Sequence, residues 1–196
     1  MDTLVLPFSA PLTAYQQQAG DLLDAHRAAD PRAIQIFHSK HPRFLDDEVL
    51  WLPKRIPDSA IRDTALTIED AQLAVARVYD FQDWPALAEF TEAVANPHSE
   101  VFRFETAVEA VVNGDAPALV ALIEANPQIV HVRSIRRTHF DPPVHRATLL
   151  HYVAANGVEG FRRKTPKNAV EIATVLLRMA LSPTRSPAFT AANAPR

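Results

Sequence analysis

The chain predicts an all-α fold, and three features carry that prediction. Apolar residues recur at helical spacing along most of its length, strand-like character is confined to the short run 129–132, and proline or glycine punctuates the periodic segments. Sixteen Pro against four Gly in 196 residues sharpens the last point. That balance suits helices separated by proline-stopped connections and disfavours glycine-rich phosphate loops.

Residues 15–29 form the first predicted helix, with Leu22, Leu23 and Ala25 on one face. Asp30-Pro31 breaks it: Asp caps a helix, and Pro fits the first turn of a new one. That second helix covers 31–40, carries Ile34, Ile36 and Phe37, and runs antiparallel to the first. Residues 43–62 read as irregular chain that wraps over these helices, anchored by Trp51, Leu52, Pro53, Ile56 and Pro57. Thr67 then opens a clean helix, and Asp70 three residues on completes a capping-box-like arrangement, with Asp in place of the preferred Glu. Ala71, Leu73, Ala74, Val75 and Val78 supply its buried stripe, with Leu66 as the staple. Asp83-Trp84-Pro85 starts the next helix, 85–94, with Leu87 and Phe90 inward, and Asn96-Pro97 closes the unit. Trp51, Trp84 and Phe90 read as core or staple residues, not as ligand platforms.

A second helix pair follows at 106–113 and 116–125, joined by Gly114-Asp115 and ended by Asn126-Pro127, with Leu119, Leu122 and Ile123 inward. A third pair lies at 148–156 and 169–177, with Gly157 after its first helix. Superposing Gly114 on Gly157 brings Val112-Asn113-Gly114 over Ala155-Asn156-Gly157, a spacing of 43 residues.

Thr148-Leu149-Leu150-His151-Tyr152-Val153-Ala154-Ala155-Asn156-Gly157 resembles the ankyrin signature T-P-L-H-x-A-A-x-x-G, departing from it at Leu149 and Val153. Residues 170–177 are similar to the second-helix pattern of the same family. The resemblance is to bacterial ankyrin-repeat proteins and implies a short ankyrin stack, an α-solenoid, with an N-terminal helical extension. An ankyrin repeat is about 33 residues, so the observed period carries an insertion of about 10. Residues 133–146 supply it, where such repeats project their hairpin loop, and residues 158–168 form a second, basic insertion. Within the signature, Thr148 is expected to cap the helix and His151 to bond backbone across the adjoining loop. Ala154 would allow close helix approach, Gly157 would take the left-handed turn, and Leu150 completes the set. The implied organisation is a helical region over 1–100, an ankyrin region over 104–177 with two repeats, the second incomplete, and a disordered tail over 178–196.

That tail departs from the family pattern. A polar loop should follow Leu177, yet residues 178–196 contain no Asp or Glu and run on in Ala, Pro, Thr and Arg. Met179-Ala180 must be encoded ATG-GCN, which reads GGC, glycine, from its third base. With G- or C-ending codons the shifted frame can be written as the missing ankyrin loop. A truncated or frameshifted last repeat therefore stands beside a genuine tail. An unfinished repeat would leave Val170, Ile172, Leu176 and Leu177 with an unshielded side and would favour self-association.

Composition bounds the chemistry. Hydrophobic residues make up 47% and charged residues 22%, enough for a packed core. A net charge of −3 disfavours a general nucleic-acid or anionic-membrane surface. The absence of Cys removes disulfides, thiolate metal sites and cysteine nucleophiles together. The N-terminal apolar run has no basic flank and is interrupted by Pro7 and Pro11, and no stretch reaches the roughly 18 apolar residues of a membrane span. A cytoplasmic location is expected. His38, His41, His139, His145 and His151 lack zinc-site spacing, so no metal and no cofactor is expected. Asp46, Asp47 and Glu48 read as a solvated loop and not as a paired general acid and base, and no nucleophile-elbow motif occurs. The chain is expected not to be an enzyme.

The remaining candidate for function is the basic, aromatic insertion. Arg133, Arg136, Arg137, His139 and Phe140 combine residue types common at protein-binding hot spots, and Arg162, Arg163 and Lys164 extend the same surface. The expected partner is another protein of unknown identity. Nucleic-acid binding through the same arginines is the alternative of a different class, with an enzyme of another type or a non-functional truncated product behind it.

Overall fold

A computed structural model of the chain describes residues 5–139, 146–154 and 158–181, and among these every extended secondary-structure element is a helix. The first helix, α1 (Leu12–Arg27), buries Tyr15, Ala19, Leu22 and His26, a stripe at intervals of four, three and four residues. It starts at Leu12 because Pro11 supplies the extended residue before the first turn. Ala29 takes a left-handed conformation (φ 58°) and turns the chain into α2 (Pro31–Lys40), where the Asp30 side chain accepts from the Arg32 N–H.

The segment read as irregular holds more structure than expected. A 3₁₀ turn (Pro42–Phe44) leads into a loop closed by an antiparallel bridge between Leu45 and Pro53, and α3 (Asp58–Arg62) follows. Next comes α4 (Ile68–Val78), with the capping box formed in both directions: Thr67 N–H donates to Asp70 Oδ2 at 2.9 Å and Asp70 N–H to Thr67 Oγ1 at 3.4 Å. Its buried face is Ala71, Ala74, Val75 and Ala76, and these small side chains let both α1 and α2 lie against it. Asp83 caps α5 (Trp84–Val94) by accepting from the Ala86 N–H at 2.8 Å, with Leu87 and Phe90 inward.

Ser99 caps α6 (Glu100–Asn113) through the Phe102 N–H, so this helix begins six residues ahead of the predicted Thr106. Gly114, at φ 73°, ends it in the left-handed conformation. Asp115 then caps α7 (Ala116–Ala125), accepting from the Ala118 N–H at 3.0 Å. The β-like run 129–132 is instead part of a 3₁₀ turn (Pro127–His131), because Asn126-Pro127 starts a turn that buries Ile129. The last pair is α8 (Leu149–Val153), shorter than predicted, and α9 (Ala169–Leu181), which continues past Leu177 through Arg178 to Leu181. Residues placed in the tail up to Leu181 are therefore helical, and the rest of the tail lies outside the described residues.

Packing in this second half is like on like. Each pair packs internally, α6 on α7 and α8 on α9, and the pairs meet with α6 against α8 and α7 against α9. The apolar core divides in the same place. One cluster gathers Tyr15, Leu22, Phe37, Phe81, Leu87 and Phe90, and another gathers Phe104, Val108, Leu119, Ile129, Tyr152 and Ile172. No helix among the described residues is long and apolar enough to cross a membrane.

Candidate protein-interaction surface

Two residues of the predicted arginine surface are not on the surface. Arg136 is 6% and Arg162 is 3% exposed, and both guanidinium groups converge on Glu105 of α6, which is fully buried. Arg136 donates through Nε and Nη2 to the two Glu105 oxygens at 3.4 and 3.3 Å, and Arg162 donates through Nη1 to Glu105 Oε2. Arg162 Nη2 reaches Glu109 at 2.9 Å, and Arg136 Nε lies 3.4 Å from Glu159, to which the Tyr152 hydroxyl donates at 3.1 Å. The Arg136 guanidinium also lies 4.0 Å from the centroid of Phe90 and 4.9 Å from that of Phe81. Three carboxylates, two of them buried, thus surround two guanidinium groups between the two apolar clusters.

Burial pushes the Glu105 carboxyl up, but Arg136 and Arg162 outweigh it and hold the group below its ordinary value. Burial, with the Glu159 and Glu105 carboxylates adding to it, drives the Tyr152 hydroxyl well above its usual range. The cluster is not fully satisfied: Glu159 Oε2 and Arg162 Nε have no hydrogen-bond partner among the described residues.

The described part of the insertion, residues 133–139, is a strap laid along the helical body. Ser134 N–H donates to Ala147 O at 2.8 Å, Gln82 N–H to Arg137 O at 2.7 Å, and Thr138 bridges Phe81. Asp80, left-handed at φ 61°, receives its other end: His139 N–H donates to the Asp80 carbonyl at 3.3 Å, and the Gly160 N–H donates to the Asp80 carboxylate. Arg133, Arg137 and Arg163 stay exposed; Arg133 donates to Arg146 O, and Arg137 pairs with Glu89. Phe140 lies outside the described residues. The arginine surface is thus corrected at its two central residues, whose acidic partners come from α6 and from the second insertion.

The signature residues fare unevenly. Thr148 is the N-cap of α8, and its N–H donates to His151 Nδ1 at 3.1 Å. Leu150 is exposed, the inward face of α8 being Leu149, Tyr152 and Val153. Ala154 sits exposed at the C-cap, so it brings no helix close, and Gly157 lies outside the described residues. Of the histidines, His41 donates from Nε2 to Asp70 at 3.0 Å and accepts the Arg43 N–H at Nδ1, and burial holds its pKa below the ordinary value despite Asp70. No group of three or more His, Cys, Asp or Glu among the described residues is placed to hold a metal ion.

What sequence reasoning missed is the loop between Leu45 and Pro53. Asp46 N–H donates to Leu52 O at 2.7 Å and Leu52 N–H to Val49 O at 2.8 Å, while Asp46 Oδ1 accepts from the Glu48 and Val49 N–H groups at 2.9 Å each. Lys54 N–H donates to Phe44 O at 2.8 Å, and His38 Nε2 donates to Lys54 O at 2.8 Å. The Val49 and Glu48 N–H groups that donate to it hold the Asp46 carboxyl below its ordinary value. With its backbone tied down on this side, the loop turns Leu50, Trp51 and Leu52 outward, and Trp51 is 73% exposed. Trp51, read as a core or staple residue, is instead the most exposed aromatic of the described residues, and its neighbour Leu50 lines a cleft of about 290 Å³ with Leu45, Arg77 and His139. The signal that could have found it is Asp46-Asp47-Glu48, an acidic turn that cannot follow its apolar neighbours inward.

Compared with known proteins, the chain matches no family model, no curated protein and no solved structure.

Proposed function

We propose that this chain is a non-catalytic protein-binding module whose principal contact is the loop carrying Leu50, Trp51 and Leu52. One observation carries the proposal: a Trp held in water by a loop whose backbone is already hydrogen-bonded. An exposed indole gains little for folding, whereas Trp is among the residues most enriched at binding hot spots. A pre-ordered loop also reduces the entropy lost when a partner docks. The side chains around it fit the role, since the acidic turn at Asp46-Asp47-Glu48 forms a polar rim to an apolar centre.

The finer reading of the scaffold is an ankyrin-like pair of repeats, α6–α7 and α8–α9. What supports it is the like-on-like contact of first helix with first helix and second with second, together with Thr148 and His151 at the start of α8. Affinity capture from the native lysate tests the functional proposal, with wild type compared to Trp51→Ala and Leu50→Ser. Loss of the same captured protein in both variants, with melting temperature unchanged, is the expected result; equal recovery would end the proposal for this loop.

A further inference from the structure

We infer that α9 is a dimerisation helix that pairs antiparallel with the α9 of a second copy of this chain. The helix has two apolar sides. Ile172 and Leu176 are buried in the chain's own core, while Val170, Leu177 and Leu181 are 82%, 49% and 82% exposed. Together with Thr174 these exposed residues stand at intervals of four, three and four, a single straight stripe on an α-helix. Three large aliphatic side chains aligned in water are not scattered exposure; they form the seam that helix pairing requires.

Charge selects the occupant and its direction. Glu171 and Arg178, both exposed, flank the stripe on the same side and lie two turns apart. A twofold axis at the middle of the stripe sets Val170 against the partner's Leu181 and Thr174 against the partner's Leu177. The same axis brings Glu171 towards the partner's Arg178, and it does so twice. A parallel pairing would instead set Glu171 and Arg178 against the partner's opposite flank, Ala173 and Ala180, and form no ion pair. The other flank carries Ala173 and Ala180, small enough for close approach, and antiparallel helix dipoles attract. The surface is thus self-complementary, as an isologous contact must be. A helix of 13 residues is about 20 Å long, so the contact belongs to the small, weak class of interfaces.

Sedimentation equilibrium of the full chain tests the inference, with circular dichroism confirming that each variant folds. The wild type should show a reversible monomer–dimer equilibrium below ~100 µM, in the range expected of a small interface. Glu171→Arg should weaken the dimer about tenfold, since two attractive pairs become repulsive, and Glu171→Arg with Arg178→Glu should restore it to within about twofold. Leu177→Glu should abolish it. A wild type that stays monomeric at ~100 µM would overturn the inference, as would a double charge swap that remains as weak as the single one. A monomer that dimerises only after removal of residues 182–196 would overturn it too, by showing that the chain's own end covers the stripe.

Discussion

Glu105 is an anion taken wholly out of water, and what it does for the fold depends on its two guanidinium partners. Desolvating such charges offsets most of their attraction, so the cluster adds little net stability while all its members are present. Removing one member is different, because the others stay buried without their counter-charge. Glu105→Gln should therefore lower the unfolding free energy by about 3–5 kcal/mol, read from the urea midpoint. A loss under about 1 kcal/mol would mean that water reaches the cluster. Acid should act on the same group. Its folded pKa is depressed, so the unfolded chain binds the proton more readily, and the stabilisation present above the unfolded value of about 4.3 is lost as pH falls through the folded one. His41 and His139 are also depressed, chiefly by burial, so they begin to withdraw stability earlier, as pH falls below about 6.5. The melting temperature should thus decline gently from neutral pH towards 5 and steeply below 4; a flat profile through both windows would contradict these environments.

At the scale of elements, chemistry within a few residues decides the outcome. Asp30-Pro31, Thr67 with Asp70, Asp83 with Pro85, and Asp115 all cap the helices their spacing announces. Asp115→Ala should cost about 1 kcal/mol, typical of a lost cap, and Asp115→Asn much less. Gly114→Ala should cost about 1–2 kcal/mol through its left-handed backbone, with a further penalty because the new Cβ would press on the Asn168 side chain. Asn168 Nδ2 also donates to the Gly114 carbonyl, so the bend between α6 and α7 is clasped by the residue just before α9. Urea titration of the two variants checks both figures. What the sequence left illegible depends on distant partners. Arg136 reads as a surface residue until Glu105, 31 positions away, and Glu159 are seen to enclose it. Trp51 reads as core because its side chain is apolar, yet a local loop's hydrogen bonds fix which way it points. The early start of α6 after Ser99 was obscured for a simpler reason: Glu100-Val101-Phe102-Arg103 has no glycine or proline to mark a boundary.

Over the whole molecule, two apolar clusters meet at a polar seam. Each holds enough large buried side chains to be a core, and α5 packs directly on α6 where they meet. The seam also holds the strap from Val132 to His139, which leaves the second cluster, lays Arg136 over Phe81 and Phe90 of the first and reaches Asp80, and the turn Gly160–Arg162, whose Gly160 N–H meets Asp80 and whose Phe161 packs on Tyr79. Such an arrangement couples the halves through a few charged and aromatic groups instead of a continuous hydrophobic interior. Cooperativity should therefore be conditional on them. Wild type should unfold in one transition, with circular dichroism and Trp fluorescence coincident, because opening either half exposes the charges of the other. Both tryptophans, Trp51 and Trp84, belong to the N-terminal half, so fluorescence reports that half alone while ellipticity reports all helices. Arg136→Ala removes the guanidinium from both aromatic faces and both carboxylates at once. In that variant the helical signal should begin to fall at lower urea than the fluorescence, the C-terminal half melting first because Glu105 and Glu159 are left buried with less counter-charge on its side. Amide exchange should agree, with α6 and α8 losing protection ahead of α1 and α4. Coincident transitions in Arg136→Ala would show that the remaining contacts, α5 on α6 and the backbone bonds of the strap to Asp80 and Gln82, suffice to couple the halves, and that the buried arginine adjusts the stability of this molecule without joining its two cores.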